Sequence, residues 1–276
     1  PEGVPIVAGA GDQAAQAMGA ALIDEGVVGA TLGTSGVIFA ASQAFHGTSD
    51  GSLHAFCHAI PARWHLMGVM LSAAGSLSWF AESLAQDARR SAVERGVDLF
   101  EMLCAEAGTA PAGCDGLTFL PYLSGERTPH ADPHARGVFA GLSTRHRRPH
   151  LVRAILEGVT FGMLDCLDLI RQAGVQVREV RLGGGGARSA VWRQLCADVF
   201  EAPVVTMRTN AGAAFGAALV AGIGCSTFAS AEEAVARTVT VADRVEPRTD
   251  LAAFRTAQRR YRELYPALKP WFAAAQ

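Results

Sequence analysis

Val177-Arg178-Glu179-Val180-Arg181-Leu182-Gly183-Gly184-Gly185-Gly186-Ala187-Arg188-Ser189 is the stretch whose reading decides the fold. Val177–Leu182 has strand composition, Gly183–Gly186 is a glycine run, and 189–200 has helical spacing. Val204–Met207 follows as a second strand, which makes a parallel crossover unit. Where glycines sit between a strand and a helix, missing side chains let a nucleotide lie against backbone and helix terminus. Gly183, Gly185 and the following helix also imitate the turn of a dinucleotide-binding dehydrogenase. Against that rival, the second strand ends at Arg208 without a ribose-binding acid, and only one such unit is present.

Working outward, Leu151, Ile155, Leu156, Val159, Met163, Leu167 and Ile170 recur at helical spacing and predict one long core helix ending near Gly174. At the start of the chain, Val4–Ala8 reads as a strand entering Gly9-Ala10-Gly11-Asp12-Gln13, with a helix over 13–22. A carboxylate there can take a proton from a substrate hydroxyl, or Asp12 can simply cap the helix. Val27–Thr31 and Val37–Ala41 read as antiparallel strands around Leu32-Gly33-Thr34-Ser35-Gly36. That turn is either an ordinary hairpin or a source of amide and hydroxyl donors for phosphate. Leu53–Ala59 and Trp64–Val69 repeat the pattern. Ser72 stands in capping position for a helix through Leu84, and helical sequence continues to Gly108. The Gly-, Pro-, His- and Arg-rich segment 111–149 reads as a long functional loop. Gly212–Ala221 and Leu251–Phe272 read as further helices.

Composition narrows the partners. Half of the 276 residues are hydrophobic, enough for a real core, and the formal charge of -2 offers no basic face for nucleic acid or an anionic membrane. The six cysteines form no CxxC pair, so neither a zinc knuckle nor a disulfide framework is indicated, and reduced thiols in a cytoplasm fit best. His54 and His58 flank Cys57 without a third ligand at usable spacing. The longest apolar run, Ala211–Ile223, falls short of the roughly 20 residues that span a bilayer. A start at Pro1, with strand-like sequence almost at once, suggests that an upstream portion is missing.

Gly137-Val138-Phe139-Ala140-Gly141-Leu142, then seven residues, then His150-Leu151-Val152-Arg153-Ala154-Ile155-Leu156-Glu157 resembles the second signature of the FGGY carbohydrate kinases. Leu120–His130, Ser52–His58 and Trp64–Met67 resemble stretches of the family's xylulokinase branch. The likeness covers nearly the whole chain and weakens after Ile223.

The resemblance implies a ribonuclease H-like α/β fold of the actin, hexokinase and Hsp70 ATPase superfamily, a mixed sheet flanked by helices. It implies that 1–276 is the family's C-terminal, nucleotide-binding domain with 223–276 as a helical tail, the N-terminal sugar-binding domain lying outside this chain. The function implied is ATP-dependent phosphorylation of a sugar hydroxyl, D-xylulose first, with gluconate, ribulose or glycerol as alternatives and a non-catalytic nucleotide-binding module as a more distant one. Asp12 takes the position of the catalytic base and Gln13 that of a sugar ligand. Gly33, Thr34, Ser35 and Gly36 resemble the phosphate-binding turn, Gly184, Gly185, Gly186 and Ala187 the adenosine motif, and Ala74 and Ser78 fall near other nucleotide contacts. Mg²⁺ accompanies ATP by bridging phosphate oxygens, with no protein ligand assigned. Glu157 is expected to be structural, the family commonly forms homodimers, and the chain on its own is expected not to turn over sugar at a normal rate.

Overall fold

The computed structural model describes residues 2–48, 51–209 and 212–274; Pro1 and Ala211, which enter the sequence reading above, lie outside them. The chain opens with helix α1 (Asp12–Gly19) and two antiparallel hairpins, β1 (Val27–Leu32) with β2 (Gly36–Ser42) and β3 (His54–Cys57) with β4 (Trp64–Met70). Helices α2 (Ala74–Ser83), α3 (Gln86–Arg95) and α4 (Leu99–Ala107) follow, then a small sheet of β5 (Thr118–Leu120) and β6 (Val138–Ala140). The long helix α5 (Arg148–Gln172) leads into β7 (Glu179–Gly183), α6 (Ala190–Phe200) and β8 (Val204–Met207). The chain closes with α7 (Gly212–Gly224), α8 (Ala231–Thr238), β9 (Val241–Val245) and α9 (Ala252–Ala274).

Seven strands form one mixed sheet in the order β3-β4-β2-β1-β7-β8-β9. The hairpins are antiparallel, β1, β7 and β8 are parallel, and β9 returns antiparallel. Alternation along β2 shows the two layers: Ile38 joins the main core under α5, while its neighbour Phe39 packs with Ala17 and Leu22 on the α1 side. Within α5, Arg153 Nε donates to Glu157 Oε1 at 2.8 Å and the Gly113 amide donates to the same oxygen at 3.1 Å. Glu157 is thus an interior strut, as its place on the core face of a helix suggests.

Four local expectations need correction. Val4–Ala8 forms no strand: Ile6 is fully exposed, and a strand needs a hydrogen-bonding neighbour that the described residues do not supply. Ser72 does not cap α2; Ala73 does, and the free amides find acceptors elsewhere. The helical stretch to Gly108 is three helices, broken at Ala85 and at Gly96, whose φ of 63° ends α3 in the left-handed region. The 223–276 tail is not purely helical, because β9 joins the main sheet and Tyr261, Tyr265 and Phe272 complete the main core. No described helix is long and apolar enough to cross a membrane.

Candidate active site at the C-terminal edge of the parallel strands

Helix α1 lies along β1 and runs opposite to it. Near its start, Gln16 Nε2 donates to Thr31 Oγ1 at 3.1 Å. At its far end, Arg181 Nη1 donates to the carbonyls of Ala20 and Ala21 at 2.9 and 2.8 Å, and Arg181 is registered with Gly29 in mid-strand. Asp12, one turn before Gln16 on the same helix face, therefore projects past the end of β1. Asp12 is exposed and Gly11 takes the cap position with no side-chain cap bond, so the carboxylate is not spent on capping. Gln13 Nε2 lies 3.5 Å from Asp12 Oδ2.

The turn after β1 is oriented by a helix 40 residues away in sequence. Amides of Ala73 and Ala74 donate at 2.8 Å to the carbonyls of Thr34 and Gly33, and the Gly75 amide donates to Thr34 at 3.2 Å. These bonds satisfy the open end of α2. In a trans peptide the N–H points opposite to the C=O, so the amides of Thr34 and Ser35 face away from α2. Neither donates to a backbone acceptor among the described residues. Two neighbouring outward amides on an exposed turn are an arrangement able to accept an anion.

The glycine run meets this turn. Thr31 is registered with Gly183, and Gly184, at φ +84°, approaches so closely that a Cβ there would sit 2.5 Å from Leu32 O and 3.0 Å from Gly33 N. Gly184 is thus glycine for packing. Gly185 differs, because a Cβ on it would meet nothing within 4 Å and would project into open space, leaving a bare backbone ledge.

A cleft of about 610 Å³ lies between that ledge and the helices α2 and α4. Of the residues proposed from sequence to hold nucleotide, Gly33, Thr34, Ala74, Ser78, Gly185 and Gly186 line it. Gly184 and Ala187 instead line a smaller cavity of about 190 Å³ on the α1 side, with Gln16 and Thr31. Ser35 and Gly36 line neither; Gly36 is buried, and a Cβ there would sit 2.6 Å from Met70. Asp98, Phe100 and Glu101 at the start of α4, and Ser189 and Trp192 at the start of α6, line the cleft without having been singled out. Asp98-Leu99-Phe100-Glu101 carried one available signal, an N-cap residue followed three positions later by Glu. Its Oδ1 indeed accepts from the Glu101 amide at 2.9 Å.

The 111–149 segment supports the cleft from behind rather than lining it. Glu126 is buried, and its Oε1 accepts from the amides of Leu71 at 3.0 Å and Arg127 at 2.7 Å, while Oε2 has no partner among the described residues. Thr128 Oγ1 accepts from Val69 at 3.1 Å, so this loop fixes the end of β4 from which α2 departs. Burial pushes the Glu126 carboxyl up to about 8, against the opposing pull of its two amide donors. A carboxyl raised in this way stabilises the fold at low pH and loses that contribution as pH rises towards 8. Asp165, at about 6, has largely ionised below that range, whereas His58, His65 and His130, all lowered by burial, act in the opposite sense near pH 6.5, because they take up protons only when the protein unfolds. Between pH 6.5 and 8 Glu126 by itself is expected to withdraw about 2 kcal/mol of stability, at up to about 1.4 kcal/mol per pH unit, partly offset by those histidines. Glu126→Gln should flatten this limb in urea unfolding; an unchanged slope would remove Glu126 as its cause.

Comparison with known proteins identifies the surroundings of this site. Residues 28–225 match the FGGY family of carbohydrate kinases, C-terminal domain. The xylulose kinase of Escherichia coli (strain K12) is 40% identical over 272 residues, covering 98% of this chain and 54% of its own length. The gluconokinase of Bacillus subtilis (strain 168) is 34% identical over 218 residues, covering 78% of this chain and 42% of its own. The crystal structure of xylulose kinase from Rhodospirillum rubrum matches with a TM-score of 0.87 at 33% identity, over 99% of this chain and 53% of that one. The chain spans about half the length of the curated relatives it matches.

Proposed function

The chain belongs to the FGGY family of carbohydrate kinases, and from that membership we propose that it is the nucleotide-binding C-terminal half of an enzyme that phosphorylates a sugar hydroxyl with ATP. D-xylulose is the substrate we assign first, from the relatives named xylulose kinase. The observation that carries the reading is the common edge shared by the Asp12 carboxylate, the outward amides of Thr34 and Ser35, and the bare backbone at Gly185.

The chemistry follows from that arrangement. Phosphoryl transfer asks the protein mainly to position reactants and to neutralise developing charge. The turn amides bind phosphate oxygens, Gly185 and Gly186 let the nucleoside lie on backbone, and Ala74 and Ser78 form the facing wall. Asp12 hydrogen-bonds the acceptor hydroxyl and takes its proton as the sugar oxygen bonds to the γ-phosphorus and ADP departs. Gln13, adjacent to Asp12, is the nearest side-chain amide for a second sugar hydroxyl. Among the described residues no three His, Cys, Asp or Glu side chains gather into a metal site. Mg²⁺ would accompany the bound nucleotide and supply charge neutralisation at its phosphates.

An N-terminal domain completing the sugar pocket is the partner this reading requires, and a cytoplasmic, homodimeric enzyme is its setting. The test is a coupled ADP-release assay on the kinase carrying both halves, with xylulose, gluconate, ribulose and glycerol in parallel. The highest kcat/KM is expected for xylulose. A clear preference for gluconate would favour the second reading, which the 34% identical gluconokinase supports. The 276 residues alone are expected to bind nucleotide without phosphorylating sugar at a normal rate, and robust turnover by them would refute this division of labour.

A further inference from the structure

We propose that the C-terminal helix α9 holds the Gly33–Thr34 turn in its phosphate-binding geometry, with Glu126 and Tyr265 as positioning residues, an inference that rests on the nucleotide reading of the site. The turn's own amides face outward because the amides of Ala73, Ala74 and Gly75 grip its carbonyls. Those three donors come just after Leu71, whose amide donates to Glu126 Oε1 at 3.0 Å. Thr128 secures the same end of β4 twice. Its amide donates to Val69 O at 2.9 Å, and its Oγ1 accepts from the Val69 amide at 3.1 Å.

Helix α9 in turn fixes the segment 122–132 that carries these groups. Tyr265 Oη donates to Asp132 Oδ2 at 2.8 Å, and its ring stacks on that of His130 with centroids 3.6 Å apart. Tyr261 Oη lies 2.9 Å from Tyr122 Oη, which lies 3.1 Å from His130 Nε2. The backbones of Asp132 and Glu126 exchange hydrogen bonds of 2.8 and 2.9 Å, so the hold of Tyr265 reaches the buried carboxyl directly. Stability alone accounts poorly for that carboxyl. Its Oε2 is buried with no partner among the described residues, a cost that an apolar side chain of similar size would avoid. An apolar side chain could not accept from the Leu71 and Arg127 amides, and that is the service the carboxyl performs.

Calorimetric titration of the kinase carrying both halves with ADP and with adenosine tests this, on wild type, Glu126→Leu, Glu126→Gln and Tyr265→Phe, each checked for folding by circular dichroism. Leucine leaves the Leu71 amide unanswered and frees the turn, so ADP should bind about tenfold more weakly, as when one hydrogen bond to a charged group is lost. Adenosine should lose much less, because the Gly185–Gly186 ledge beneath it follows β7 rather than β4. Glutamine keeps the acceptor at Oε1 and should bind ADP as the wild type does. Tyr265→Phe keeps the ring on His130, removes only the hydroxyl that holds Asp132, and should weaken ADP about threefold. It decides the matter alone if Glu126→Leu does not fold. Unchanged ADP affinity in folded Glu126→Leu or in Tyr265→Phe, equal losses for ADP and adenosine, or a Glu126→Gln protein as weak as Glu126→Leu overturns the assignment while leaving the nucleotide site standing. A wild type that binds neither ligand overturns the site itself, and the assignment with it.

Discussion

Asp12→Asn is expected to lower kcat of the kinase carrying both halves by about 10²–10⁴-fold, the range that a positioned general base contributes. Asparagine keeps the shape and one acceptor oxygen but cannot take the proton of the sugar hydroxyl. The prediction is sharp because the native carboxylate has little else to do. It caps no helix, it is exposed, and its one described polar neighbour is Gln13 at 3.5 Å. The variant should therefore unfold at the wild-type urea concentration and bind ADP with unchanged affinity. Retention of more than about a tenth of kcat would sink the assignment, because removal of a general base costs more than that. A large fall in stability would show that Asp12 carries structural weight instead.

Gly216→Ala should have the largest effect on stability. Helices α1 and α7 touch backbone to backbone: a Cβ on Gly216 would sit 1.6 Å from the Ala15 carbonyl oxygen and 2.5 Å from its carbon. Gly19 makes the reciprocal approach, its Cβ position lying 3.0 Å from Gly212 O. No side chain can swing aside, so one helix must translate. Helix α1 is pinned at both ends, by Gln16 to Thr31 and by Arg181 to the carbonyls of Ala20 and Ala21. We expect a loss of about 3 kcal/mol, at the upper end for overpacking because the obstruction is backbone. Whatever shift α1 does undergo moves Asp12 with it, and a displacement of about 1 Å at a reacting group can cost about 10²-fold in rate. Urea unfolding should show a lower midpoint at constant slope, with kcat reduced under conditions where the variant is folded. A midpoint within error of wild type would mean that α7 can move freely away from α1.

Much of the architecture was legible along the chain because the signals are local. Strand and turn residues around Gly33 and Pro61 gave both hairpins, and the apolar spacing of 151–170 gave α5. The failures are equally physical. Val4–Ala8 has strand composition, but composition does not provide a neighbouring strand to bond to. Val241–Val245 carries Asp243 and Arg244 in place of an apolar run and so has no strand signal of its own, yet it adds an edge strand beside β8. Strand β9 owes its place to pairing, which lies between segments rather than within one.

The candidate site divides the same way. Sequence by itself determined that Asp12 begins a helix, that a glycine-bearing turn joins β1 to β2, and that a glycine run separates β7 from α6. Each of these follows from the preferences of a few adjacent residues. Only the tertiary structure decided that Gly36 and Gly184 serve packing while Gly185 lies bare, that α2 turns the amides of Thr34 and Ser35 outward, and that Phe100 and Glu101 stand across the cleft from the glycines. The physical reason is that a peptide's orientation and a side chain's surroundings are set by whatever packs against them. Here those neighbours lie tens of residues away, beyond the reach of any local pattern.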